Sequence, residues 1–143
     1  MSLAPTVHAT AVAIGDRAVL ITGPPGSGKS DLALRLIDRG AVLVADDRVV
    51  LTRDGDRVVA GPPSALAGLI EVRGVGVIAA DHRAGVAVAL VVDLARSPER
   101  LPEPASVVLA GVAVACAALA GFESSAAVKV ERLLDVVARG DRR

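Results

Sequence analysis

Gly23-Pro24-Pro25-Gly26-Ser27-Gly28-Lys29-Ser30 fits the pattern Gly-x-x-x-x-Gly-Lys-[Ser/Thr] at every position, and its flanks decide how it is read. Ala18 to Thr22, just ahead, is an apolar run of strand length. Behind it Leu32, Ala33, Leu36 and Ile37 recur at helical spacing until Gly40 supplies a stop, which predicts a helix from Lys29 to Arg39. Strand, loop and helix in that order form the context the pattern needs. In such a loop the glycines let successive backbone N–H groups curl around a phosphate, and the helix N-terminus adds its dipole. Pro24 and Pro25 carry no N–H, so the donors come from Gly26 onward. Lys29 offers a mobile charge to the outer phosphates, and the Ser30 hydroxyl suits Mg²⁺, which keeps most of its waters. The stretch from Gly23 to Ser30 is therefore expected to hold the phosphates of a nucleoside triphosphate with Mg²⁺. It leaves the reaction open.

Upstream, Val7 to Ile14 reads as the first arm of a hairpin that turns at Gly15-Asp16 into the strand before the loop. Downstream, Ala41 to Ala45 is a continuous apolar run, as in a sheet buried on both faces, and delivers Asp46 and Asp47 at its end. Arg48 to Thr52 and Arg57 to Ala60 flank Asp54-Gly55 and predict a second hairpin. Ser64 is placed to cap a short helix to Leu69, and Ile70 to Gly76, with two glycines beside two charges, reads as an irregular functional loop. Val86 to Leu94 is a strand and Arg96 to Pro104 a surface loop. Ala105 to Phe122 has no charge over 18 residues and is read as a buried strand and helix rather than a membrane span. A last helix presents Val130, Leu133, Leu134 and Val137 on one face, with Glu131, Arg132 and Asp135 toward water.

A chain of 143 residues, 52% of them apolar, suffices for one core and is short for two. A single α/β domain over residues 1–143 with a mixed central sheet is expected. Sixteen basic and sixteen acidic side chains cancel, so no net field favours nucleic acid or an anionic membrane. Phe122 is the only aromatic residue, which leaves the core to Ala, Val, Leu and Ile and all but removes stacking platforms for nucleic-acid bases. The one cysteine, Cys116, reads as a small buried hydrophobe, and with no secretory signal at the N-terminus the expected setting is the cytoplasm.

Asp46 and Asp47 follow Lys29 by one helix and one returning strand, within reach of the phosphates. Neighbours on an extended chain point to opposite sides, so one faces the metal and its waters while the other faces an attacking hydroxyl and accepts its proton. Glu71 and Arg73 offer a metal-facing carboxylate and a phosphate-facing guanidinium, or form a surface ion pair. His8 is structural or catalytic, and spacing alone does not choose.

Val7-His8, the complete loop, Leu43-Val44-Ala45-Asp46-Asp47-Arg48 and Ile70-Glu71-Val72-Arg73-Gly74-Val75-Gly76-Val77-Ile78 together resemble the catalytic domain of the bacterial HPr kinase/phosphorylase family. The resemblance runs over about half of the chain. It implies a P-loop kinase fold related to phosphoenolpyruvate carboxykinase, ATP and Mg²⁺ as ligands, a serine on the phosphocarrier HPr or a similar protein as acceptor, and a homohexamer. It further implies that Lys29 holds the nucleotide phosphates, that Ser30 and Glu71 bind Mg²⁺, that Asp47 accepts the proton with Asp46 beside it, and that His8 stands near the reacting phosphate. Arg100, in Pro98-Glu99-Arg100-Leu101, lines up with a family arginine. The chain corresponds to a short form without the family's N-terminal domain. The family's Pro-Val-[Arg/Lys]-x-Gly-Arg stretch, associated with the reverse reaction, has no counterpart in Val112 to Cys116, so phosphorolysis is not carried over.

Two other readings share the loop. A small-molecule kinase needs an enclosed acceptor pocket and usually an arginine-rich lid, which the sequence lacks. A nucleotide-binding regulatory module would have little use for Asp46, Asp47 and Glu71.

Overall fold

The computed structural model describes residues 6–139. Among them nine strands form one mixed sheet and two form a small hairpin beside it. The chain opens with β1 (Thr6–His8), β2 (Thr10–Ile14) and β3 (Arg17–Thr22), and the glycine-rich loop leads from β3 into α1 (Lys29–Asp38). Then come β4 (Val42–Ala45), β5 (Arg48–Asp54), β6 (Arg57–Gly61), β7 (Leu69–Val72), β8 (Gly76–Ala79), β9 (Val86–Asp93), β10 (Ala105–Leu109), β11 (Val112–Ala118) and α2 (Ala126–Arg139).

The main sheet runs β1-β5-β6-β9-β3-β2-β4, with β11 also on β9 and β10 on β11. Only Ala9 separates β1 from β2, and only Asp46-Asp47 separates β4 from β5. Because these pairs sit toward opposite ends of the path, the sheet must curl until its ends nearly meet. Ala9 N–H donates to Asp47 C=O at 3.3 Å across that closure. The inside of the curl is narrow and takes small side chains: Ala9, Ala11, Ala13, Ala18, Ala45 and Ala60, with Val44, Val49 and Leu20. The outside packs larger residues, Ile21, Leu43 and Leu90, against Leu32 and Leu36 of α1 and Val130 and Leu134 of α2. Both faces of β2, β3 and β9 are covered, which is why these strands read as continuous apolar runs.

β3 is the line at which the sheet changes sense: β2 is antiparallel to it and β9 parallel. β9 has β3 along one edge, while its other edge is shared by β6, antiparallel at Val86 and Ala87, and β11, parallel from Leu90 to Asp93.

The helix expected after the loop, the Gly15-Asp16 turn and the strand delivering Asp46 and Asp47 are all present. Six readings are corrected. The first arm is two strands, since β1 leaves β2 at Ala9 to pair with β5. The Ser64-capped helix is a single 3-10 turn over Ser64–Leu66 with no side-chain cap, and Leu69 already belongs to β7. Ile70 to Gly76 is no irregular loop but part of the β7–β8 hairpin, with Gly74 in the left-handed conformation its turn requires. Ala105 to Phe122 contains no helix: β10 and β11 form a hairpin turning at Ala110-Gly111, both at positive φ. The second hairpin turns one residue later than expected, at Gly55-Asp56. Glu131 is half-buried, not turned to water, because it takes a forked pair of hydrogen bonds from Arg39 of α1. Among the described residues no helix is long and apolar enough to cross a membrane.

Candidate functional site

The glycine-rich loop joins the end of β3 to the start of α1 and rests on its own hydrogen bonds. Ser27 N–H donates to Pro24 C=O at 3.1 Å, and the Lys29 ammonium donates to Gly23 C=O at 2.8 Å and Pro24 C=O at 3.1 Å. The lysine thus folds back over the loop that precedes it. Pro24, Pro25 and Gly26 are exposed, while Ser27, Gly28, Lys29 and Ser30 are half-buried. Ser27 Oγ is buried without a hydrogen-bond partner.

Asp46 stands where β4 ends. It is 6% exposed and accepts three hydrogen bonds: from Ser30 Oγ at 2.6 Å, from Thr10 Oγ1 at 2.9 Å, and from the Glu71 backbone N–H at 2.9 Å. One carboxylate therefore ties the helix after the loop to β2 and β7. A buried carboxylate needs such donors, since burial alone would penalise its charge. Asp47, the next residue, turns away: its φ is 69°, so the pair does not diverge by strand alternation as expected but through a left-handed step, which Asp tolerates better than most residues. Its carboxylate is exposed, and His8 Nδ1 of β1 lies 3.9 Å from its Oδ1. That is proximity without a hydrogen bond.

The Glu71 side chain is exposed on β7, and Arg73 lies in the turn that follows. Asp46, Asp47, His8, Ser30 and the Glu71 backbone are thus gathered beside the loop. Arg100 is exposed in the segment between β9 and β10, and no hydrogen bond or ion pair links it to the others. Thr10 was missed by sequence reasoning, although a hydroxyl inside the apolar Val7 to Ile14 run was the available signal. Among the described residues no three His, Cys, Asp or Glu side chains converge on a metal position. A divalent cation here would draw on few protein oxygens, as Mg²⁺ does.

The fold and these groups define a class: a curled, mixed α/β domain with a glycine-rich loop tied through Ser30 to a buried carboxylate, and an exposed one beside it. The chain belongs to the HPr serine kinase C-terminal domain family, whose model matches residues 1–95. The HPr kinase/phosphorylase of Bordetella pertussis is 51% identical over 79 residues, covering 53% of this chain and 26% of the relative. That of Enterococcus faecalis is 50% identical over 74 residues, 51% of this chain and 24% of the relative. The chain matches about a quarter of the length of these curated relatives. The solved structure of the HPr(Ser) kinase/phosphatase from Coxiella burnetii superposes with a TM-score of 0.81 at 27% identity, over 95% of this chain and 97% of the other.

Proposed function

We propose that this chain is an ATP-dependent protein-serine kinase domain that phosphorylates HPr or a similar phosphocarrier, on a P-loop fold related to phosphoenolpyruvate carboxykinase. The observation that carries the reading is the bond from Ser30 to buried Asp46 with Asp47 turned outward beside it. It supports a division of labour between the two carboxylates.

The residues fit the ligands this requires. The loop's N–H groups from Gly26 to Ser30 and the Lys29 ammonium suit a polyphosphate. Ser30 Oγ and Asp46, with Glu71 next along, are the oxygen donors that would hold Mg²⁺. When bound, the ion neutralises charge on the phosphate oxygens. Lys29 would exchange the carbonyls of Gly23 and Pro24 for phosphate oxygens. The Asp47 carboxylate would take the proton of the acceptor serine, and His8 would stand beside the same oxygens. Arg100 would join only if the acceptor brought its loop inward.

Exposure of Asp47 and His8, whose side chains are 72% and 66% accessible, favours a protein acceptor over a small molecule, which needs enclosure from water. The reading carries with it the cytoplasm, where a phosphocarrier works, and self-association. Exposed Val75, Val77 and Ile78 on the β7–β8 hairpin offer apolar surface for an oligomer to cover.

The decisive test incubates the chain with labelled ATP, Mg²⁺ and HPr and maps the label. Phosphoserine on HPr is expected, and a label that never reaches the carrier refutes the assignment. Lys29→Ala should abolish transfer, whereas Asp47→Asn should retain nucleotide affinity and lose transfer by about 10²-fold or more. An Asp47→Asn variant that transfers normally moves the base elsewhere.

A further inference from the structure

The triphosphate reading leaves the rest of the nucleotide without a seat, and the structure has a cavity of about 490 Å³ next to the loop. That size lies within the ~300–1,000 Å³ of ordinary small-molecule sites. Its walls are the segment after β9, from Leu94 to Pro98, and the segment after β11, from Leu119 to Glu123, with Ser27 of the glycine-rich loop between them. A second cavity of similar size, around Leu34 and Asp38 of α1 and Val128 of α2, includes no residue of that loop.

Topology puts the first cavity in the right place. β3, β9 and β11 are mutually parallel, and their last residues are in register: Thr22 opposite Asp93, and Asp93 opposite Ala118. The ladder even runs on by one bond on each side, from Leu94 N–H to Thr22 C=O and from Leu119 N–H to Asp93 C=O. All three chain exits therefore open at one edge. Ligands of parallel sheets sit outside the carboxyl ends of the strands.

The segment after β11 is fitted to the loop. A Cβ on Gly121 would lie 2.9 Å from Ser27 C=O and 2.9 Å from Leu94 Cδ1, so only glycine allows this approach. The Phe122 ring lies over Gly28, where a Cβ would meet Cε1 at 3.0 Å. Arg35 of α1 donates to the carbonyls of Gly121 and Glu123, and Lys129 of α2 binds Glu123 at 2.7 Å. The segment is held from two helices before any ligand arrives. Yet Phe122, the chain's single aromatic side chain, remains 65% exposed. A large apolar ring fixed in place and left open at a cavity suits a planar partner. Phe122 also lies beyond residue 95, where the family match ends.

We propose that this cavity seats the nucleoside of the nucleotide whose phosphates the loop holds, with the base stacked on Phe122. The inference rests on the phosphate-loop reading, and the test separates the two. Calorimetry compares Mg-ATP with Mg-tripolyphosphate, which has the phosphates and no nucleoside. Phe122→Ala should weaken Mg-ATP binding roughly tenfold or more, the worth of one base–aromatic stack, and leave tripolyphosphate unchanged. Because the chain has no tryptophan, Phe122→Trp supplies a single reporter. Its emission should shift on adding Mg-ATP and stay constant with tripolyphosphate. Equal Mg-ATP affinity in wild type and Phe122→Ala, or equal loss of both ligands in a folded variant, overturns the proposal. An indole that ignores Mg-ATP does the same. A wild-type chain that binds neither probe sinks the phosphate-loop reading and this inference together, whereas unchanged tripolyphosphate binding with no effect of Phe122 sinks the inference alone.

Discussion

Asp46 has three hydrogen-bond donors and no lysine or arginine among them. Its charge in the folded chain is therefore supported by neutral hydroxyls and one amide. Thr10 is fully buried and contributes one of the three. Thr10→Val keeps the shape and removes that donor, so stability should fall by about 1.5–3 kcal/mol, the worth of a hydrogen bond to a charged group. Urea unfolding measures it, and an unchanged midpoint would show that Asp46 does not depend on Thr10. Asp47 answers to a different constraint, since its left-handed backbone suits Asn nearly as well as Asp. That is why Asp47→Asn is the informative change there, and why a β-branched replacement would confuse chemistry with strain. Loop, lysine and carboxylate pair were legible because each lies in one contiguous stretch. The Thr10 bond to Asp46 and the seat of Phe122 over Gly28 were not, because they exist only once β2 meets β4 and the segment after β11 meets the loop.

The elements that the sequence disclosed are those whose local signals agree with their packing. α1 is one of these: its apolar stripe of Leu32, Ala33 and Leu36 is buried against the outer face of the sheet. Leu36→Ala should cost about 2–5 kcal/mol in urea unfolding, and under the proposed function it should weaken tripolyphosphate binding as well, since the same helix carries Lys29 and Ser30. A loss of under 1 kcal/mol would mean that the sheet holds the loop without the helix. β11 is the contrary case. Val112 to Ala118 is rich in alanine, a helix former, yet it is drawn into the sheet by parallel pairing with β9. Similarly, Gly74 and Gly76 suggested irregularity where they serve a tight turn. Nothing local marks Ala9 as a break, because what divides β1 from β2 is the closure of the curl.

Across the whole molecule, the curl explains the composition. An inner core mainly of alanine and valine fits a narrow curled sheet, and most of the larger leucines and isoleucines go outside, where two helices cover them. The family match ends at residue 95, but the core does not: Val114 and Cys116 fill the inside, and Leu119, Val130 and Leu134 the outside. A chain cut after residue 95 should therefore fail to fold, giving no cooperative unfolding transition by circular dichroism. A cooperative transition from that fragment would show that the last third is an appendage.

β9 lies with β3 on one edge and β11 on part of the other. On the ribosome, β9 emerges after β3 and β6 but well before β11 is made, and until then Leu90 to Asp93 present bare amides and carbonyls on that edge to any passing strand. The nascent polypeptide must keep this edge from the wrong mate until Ala118 clears the exit tunnel, so protection during synthesis would matter most over that interval of about 25 residues at ~5–20 residues per second.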